Sequence, residues 1–388
     1  MLRPEVGQKV LIAGGGIAGV EAALALRDLA GERIEVELRD PRQEFVFRPF
    51  AVGEPYGTAR VFRYDLQQVA ERCGASFHAD GIASVDPGRQ LAVTRDGERL
   101  HYDYLLIASG ARMLASVPGV VTFWGVADEG QVGDVIADLR VGSLRRLVFT
   151  MPGGRSWALP LYELVLLAAT ELAKRGVRST RLTVVTPEEV PLQLFGVHAG
   201  EQMSILLEER DIEVISGAHP VKFENGRLAI APGDEIEADA VIGLPRLEGR
   251  QIGGIPHDDD GFVGVDEHGR VIGLERVYAA GDVTSFPVKQ GGIATQQADV
   301  VAEAIAAEVG VEIEPQAFDP ILRGVLWTGR EPRYLYGRPT GGHGELSSLG
   351  ERPQWPSQEG KVIGRYLTSF VDSLADDPTA VVGSPSTP

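Results

Sequence analysis

Between Val10 and Asp40 the chain carries a glycine spacing that few folds accommodate. Gly14, Gly16 and Gly19 form G-x-G-x-x-G. The apolar run KVLIA (9–13) precedes them and reads as a short buried strand. The Ala- and Leu-rich stretch 17–30 follows and reads as a helix. RIEVELRD (33–40) reads as a second strand, ending on Asp40, 21 residues after Gly19. Strand, turn, helix, strand and acid in this register predict a βαβ unit that holds a dinucleotide. The first glycine permits the tight turn, the second lets the backbone approach a pyrophosphate, and the third allows close helix–strand packing. Free N–H groups at the helix start then face the phosphates. Asp40 stands where a carboxylate accepts hydrogen bonds from an adenosine ribose. The plain alternative is a structural glycine turn beside a solvated Asp.

The rest of the chain extends this unit. A third strand is expected at 103–108 and a crossing linker at 113–142. A second strand–helix–strand unit follows, with RLVFT (146–150), a helix over 158–175 and RLTVVT (181–186). A helix near 199–209 and a strand at 212–216 come next. VYAA (277–280) reads as a late strand and 292–308 as a helix. At roughly 150 residues per domain, 388 residues fit two domains. The expected fold is α/β, with two Rossmann-like dinucleotide-binding domains and a C-terminal segment. The first domain is discontinuous, 1–112 with 258–320, around a second domain at 113–257. Residues 321–388 form the C-terminal segment, with a polar, disordered tail from Asp376.

Charge narrows the partners. A net charge of −18 disfavours nucleic acid and anionic lipid surfaces. Only five lysines occur among 37 basic residues, which reads as compositional bias. The single cysteine, Cys73, excludes an intrachain disulfide and reads as structural. No histidine spacing fits a metal site, and none is expected. The N-terminus lacks a signal-peptide pattern, and no apolar run reaches the ~18 residues that span a bilayer. The expected location is cytoplasmic, with peripheral membrane contact left open.

Three stretches carry a family resemblance: VLIAGGGIAGVEAALAL (10–26), YDYLLIASGA (102–111) and VYAAGDVTSFPVKQGGIATQQADVVAEAIA (277–306). They resemble the FAD-dependent pyridine nucleotide-disulfide oxidoreductase-like flavoproteins. That group includes type II NADH dehydrogenases, flavocytochrome c sulfide dehydrogenase and sulfide:quinone oxidoreductase. The resemblance implies FAD as cofactor. It implies contacts from Gly14, Gly15, Gly16, Ile17, Ala18 and Gly19 to the pyrophosphate, and from Asp40 to the ribose. Ile82 would face the adenine, and Ala108, Ser109 and Gly110 end the third strand beside the cofactor. Gly281 and Asp282 match the pair that binds the ribityl–phosphate portion. EFVFRPF (44–50) resembles the sulfide:quinone branch and places Arg48 near the flavin or pyrophosphate, with a surface Arg as the alternative. Lys289, Gln290, Gly292 and Ile293 would start a helix aimed at the flavin N1–C2=O2 edge. Lys289 is the candidate catalytic residue, since reduction puts negative charge on that edge.

Departures from the family matter equally. No cysteine follows Cys73, so a cysteine relay and disulfide-reductase chemistry are not expected. The second unit reads MPGGRSWALPLYE (151–163) instead of G-x-G-x-x-G. Trp157 and Pro160 would block pyrophosphate approach there, leaving Arg155 to bind a phosphate by charge alone. His198 reads as a histidine without chemistry, and Ser156 lacks a nucleophile-elbow context. KVIGRYLTSFVDSLA (361–375) has helical periodicity, with Lys361 and Arg365 on the polar face. Its acidic end argues for packing on the body or on a second subunit, so a homodimer stays open. Trp327, Tyr334, Tyr336 and Trp355 are candidate pocket walls. The leading expectation is an enzyme passing electrons from a small donor through FAD to a small acceptor such as a quinone. An NAD(P)H-dependent flavin reductase and a redox-inactive or sensory flavoprotein are the alternatives.

Overall fold

The computed structural model describes residues 7–125, 130–340, 343–355, 361–377 and 382. The disordered tail expected from Asp376 lies, beyond Asp377, outside the described residues apart from Val382.

The strand Gln8–Ala13 is apolar on successive residues because the sheet is covered on both faces. Val10 and Ile12 pack into one core; Leu11 and Ala13 pack into another. It pairs in parallel with Ile34–Arg39 on one side and Tyr104–Ile107 on the other. Ser76–His78 and Val277–Ala279 complete a five-stranded parallel sheet. The late strand therefore joins the first sheet, with a second unit inserted in the chain between. Behind the sheet, the helix Ile17–Ala30 packs against the helix Gly291–Glu308.

The second sheet repeats the plan. Its parallel order is Val121–Thr122, Ala240–Gly243, Arg146–Thr150, Arg181–Val185 and Ile212–Ile215. Each sheet also carries a three-stranded antiparallel excursion, at 82–101 before Tyr104–Ile107 and at 219–237 before Ala240–Gly243. Ala111–Leu114 and Arg246–Gly249 pair antiparallel where the chain passes between the units.

Three expectations are corrected. The stretch 113–142 is more than a linker: it supplies the strand Val121–Thr122 and the helix Gln131–Val141. The C-terminal segment is built mainly from an antiparallel sheet, Leu322–Leu326, Arg333–Thr340 and His343–Gly350. The last helix begins at Leu367, not at Lys361. The six residues before it form a bend, an irregular stretch and a turn, with Gly364 pressed against the body. A Cβ there would lie 2.9 Å from Thr295 Cγ2 and 3.0 Å from Glu21 Oε1. Leu367, Val371 and Leu374 of this helix are buried in the first unit's core.

Candidate active site

Three cavities run end to end past the carboxyl ends of the first sheet's strands, where α/β sheets bind ligands. The polar end cavity, 720 Å³, is lined by Gly14, Asp40, Arg42, Ile82, Ser109 and Arg250 among others. The middle cavity, 200 Å³, takes in Gly16, Ile17, Ala18, Arg48, Ala108, Gly110, Gly281 and Asp282. The far cavity, 310 Å³, is mostly apolar and reaches Lys289 and Gln290. Adjacent cavities share walls: Arg42, Ser109 and Arg250 at one junction, Ile17, Arg48 and Asp282 at the other.

Glycine is required at the turn. Gly14 has φ +128°, and a Cβ on it would lie 2.3 Å from Ala108 O. A Cβ on Gly19 would lie 1.9 Å from Gly14 O, while Gly16 faces open space. No side chain caps the following helix at Gly16, so its first N–H groups remain available to an anion. The Gly15 N–H donates to Asp40 Oδ2 at 2.9 Å, which fixes that carboxylate at the turn. Arg42, missed in the sequence, donates to both Asp40 oxygens at 3.0 and 2.8 Å. Burial raises the Asp40 carboxyl, but Arg42 and the two backbone donors bring it below the ordinary range.

Arg48 is not a surface residue. Its guanidinium touches Met113 Sδ at 3.9 Å, and among the described residues no carboxylate forms a salt bridge with it. Burial and the cations Arg42 and Arg250 hold its pKa below the ordinary value. Ser109 Oγ is buried without a partner. An uncapped helix start, an unpaired guanidinium and an orphaned hydroxyl along one groove fit an extended anionic cofactor such as FAD.

At the far end, Gln290 caps the helix Gly291–Glu308 by accepting the Ile293 N–H at 2.9 Å, and its amide donates to Arg323 O. Gly292 and Ile293 form the first turn behind that wall. Gln297 Oε1 accepts the Gly281 N–H at 2.8 Å and holds the Gly281–Asp282 turn. Lys289 is buried. Its Nζ donates to Thr284 O at 2.5 Å and sits 4.1 Å over the Phe262 ring. Burial lowers its pKa to about 8, against the pull of Asp282.

The same cavity contains a pair absent from the sequence reading. Glu163, on the helix Leu159–Arg175, and Lys361 form an ion pair at 2.6 Å, with 2% and 5% of their side chains exposed. The Trp327 backbone N–H donates to Glu163 Oε1 at 2.8 Å, and the Trp327 ring centroid lies 4.5 Å from Lys361 Nζ. Burial pushes the Glu163 carboxyl up and the Lys361 ammonium down; each partner opposes the other's shift. Lys361 is therefore not on the polar face of a helix. Two of the chain's five lysines line one cavity, which compositional bias does not explain. Lysine, unlike arginine, shifts its pKa readily when buried and can exchange a proton.

The second unit's loop is occupied by its own contacts. Arg155 bonds Asp258 and Asp260 at 2.8 and 3.0 Å and lies over Phe262. Trp157 packs on Phe195, with ring centroids 5.5 Å apart, and Trp157 and Pro160 both line the far cavity. Glu188 follows the strand Arg181–Val185, where a ribose-binding acid would stand. It is half-buried and accepts from Tyr162 Oη at 2.5 Å. His198 is exposed beside Glu201. Tyr334 and Trp355 pack on each other and, with Tyr336, are absent from the cavity wall.

A family model described as pyridine nucleotide-disulphide oxidoreductase matches residues 8–142 and 166–306. The chain belongs to this family. Its members are FAD-dependent oxidoreductases. The sulfide-quinone reductase of Aquifex aeolicus is 25% identical over 264 residues, covering 63% of this chain and 59% of that one. The Arabidopsis thaliana alternative NAD(P)H-ubiquinone oxidoreductase C1 is 25% identical over 342 residues, covering 75% and 64%. The chain thus spans less than two thirds of the length of these relatives. The crystal structure of the Aquifex aeolicus sulfide:quinone oxidoreductase superposes with a TM-score of 0.80 at 20% identity. It covers 89% of this chain and 87% of that one, and shows the shared two-unit fold. Among the described residues no helix is long and apolar enough to cross a membrane.

Proposed function

We propose that this family member passes electrons from a small donor through FAD to a small apolar acceptor of the quinone class, without a cysteine relay. The observation that carries the reading is the buried Glu163–Lys361 pair in the wall of an apolar cavity at the end of the cofactor groove. In the same proposal, Gly14–Gly19 and Arg48 hold the pyrophosphate and Asp40 the ribose. Ile82 backs the adenine, with Ala108, Ser109 and Gly110 alongside. Gly281 and Asp282 hold the ribityl portion; Lys289, Gln290, Gly292 and Ile293 support the ring edge. Bound FAD supplies the two-electron redox chemistry. The protein's residues set charge and protons around it.

A quinone taking two electrons also takes two protons. One arrives with the electron pair, as hydride from the reduced cofactor; Lys361 and Glu163 provide an ionisable pair at the cavity wall, and the buried lysine donates the other proton in this reading. Lys289 places a cation near Asp282 and the groove, where it offsets negative charge arriving with the electrons. The carbon-rich walls from Trp124, Trp157, Leu159 and Leu247 favour a ring over an ion.

The quinone named in both relatives supports the acceptor class. The Arabidopsis relative's name also raises NAD(P)H as donor. Against it stand the contacts of Arg155, Trp157 and Glu188, which tie the second unit's loop and strand end to the chain's own residues. A cytoplasmic place of action belongs to the same proposal. The electron-transfer reading is tested by anaerobic bleaching of the flavin with NADH, NADPH, sulfide and thiols in turn, followed by reoxidation with a short-chain quinone. Saturable reoxidation by the quinone is expected; reoxidation no faster than that of free reduced FAD would refute the acceptor reading.

A further inference from the structure

We infer that Phe262 is a positioning residue for Lys289: its ring holds the ammonium in the wall of the far cavity, and Arg155, on the second unit's loop, holds the ring. The inference deepens the reading of Lys289 given above and rests on it.

The buried Lys289 has few partners. An ammonium carries three N–H donors. One goes to Thr284 O, and among the described residues no carboxylate forms a salt bridge with it. The Phe262 ring faces the charge at contact range, with its centroid 4.1 Å from Nζ. An aromatic face attracts a cation, more strongly where water is excluded, and Phe262 is only 1% exposed. Phe262 lines none of the three cavities, so its influence on what they hold passes through Lys289.

The ring is fixed at its own backbone. The Phe262 N–H donates to Asp258 Oδ1 at 2.9 Å, and Asp258 Oδ2 takes Arg155 at 2.8 Å. The next residue, Val263, donates its N–H to Val283 O at 2.9 Å and accepts the Ser285 N–H at 2.8 Å. Those two bonds flank Thr284, whose carbonyl accepts from Lys289. Both partners of the ammonium therefore belong to one hydrogen-bonded patch.

Arg155 closes the patch from the second unit. Its guanidinium carbon lies 4.8 Å from the same ring centroid, and its fork also bonds Asp260 at 3.0 Å. Ser156 pairs with Val288 in a parallel β-bridge, one residue before Lys289. Arg155 and Ser156 thus grip the ring, the turn that carries it and the backbone beside the lysine. A loop of the second unit is in this way tied to the first unit's groove.

The test is potentiometric titration of the FAD-loaded full chain, in the wild-type and Lys289→Met backgrounds. Phe262→Leu keeps an apolar side chain but removes the aromatic face. In the wild-type background it should lower the flavin potential, changing the oxidised-to-reduced ratio about threefold or more, about 15 mV. In the Lys289→Met background it should change nothing, because the cation it holds is gone. Phe262→Tyr keeps the face and should keep the wild-type potential. Arg155→Lys keeps the charge but loses the fork. It should lower the potential by less, again only where Lys289 is present. Phe262→Met, also apolar and without an aromatic face, replaces Phe262→Leu if that variant does not fold. A Phe262 that merely fills the core would shift both backgrounds alike. That result overturns the inference, as does a Phe262→Leu potential equal to that of the wild type. An Arg155→Lys potential equal to that of the wild type overturns the loop's part. If Lys289→Met itself leaves the potential in place, the reading of Lys289 fails and the inference falls with it; a shift there with none in Phe262→Leu sinks the inference alone.

Discussion

At the scale of single residues, Lys361 and Glu163 decide the most. Each is buried and each is compensated by the other. Lys361→Met strands a buried carboxylate and should cost about 3–5 kcal/mol of stability. Adding Glu163→Gln should restore most of that loss, which thermal unfolding of both variants will show. The double variant should still reduce its acceptor about 10²-fold or more slowly, because the proton donor is gone. Lys289→Met makes a separate prediction. Removing a cation from the ring end of the groove should lower the flavin potential by about 30 mV or more, roughly a tenfold change in preference. FAD affinity should change less. Potentiometric titration checks it, and an unchanged potential would mean Lys289 supports only Thr284 and Phe262.

At the scale of elements, legibility followed the range of the contacts that fix each one. The turn Gly14–Gly19, its flanking strands and Asp40 were readable because neighbours in sequence create their geometry. The Glu163–Lys361 pair was not, since its members lie 198 positions apart and the last helix starts six residues later than its periodicity implies. Val362 keeps the apolar pattern by packing near Gly291, outside any helix. The strands Leu322–Gly350 were missed because glycines, prolines and polar residues interrupt their alternation. The glycine turn carries its own prediction. Gly14→Ala should purify with little or no flavin, because its Cβ would overlap Ala108 and φ is +128°. Flavin absorbance per chain measures this. The loop Met151–Ala158 predicts that NADH and NADPH bleach the flavin slowly and without saturation. Rapid, saturable reduction at micromolar nucleotide in stopped flow would show that Arg155 and Trp157 give way.

At the scale of the whole molecule, two units of one plan divide the work unequally. The first sheet offers an open groove at its carboxyl edge; at the corresponding edge of the second, Arg155 pairs with Asp258, Trp157 packs on Phe195 and Glu188 accepts from Tyr162. The second unit and the C-terminal segment instead furnish the cavity wall and its ion pair. Cys73, the chain's single cysteine, is buried, which is why the proposed route runs through the cofactor without a cysteine relay. The most direct test is anaerobic reoxidation of the photoreduced, FAD-loaded protein by a short-chain quinone in stopped flow. Recovery of the oxidised flavin band should saturate with quinone and slow about 10²-fold in Glu163→Gln/Lys361→Met. A colourless protein that takes up no FAD, or a reduced flavin that returns no faster than free FAD in both proteins, would contradict the account.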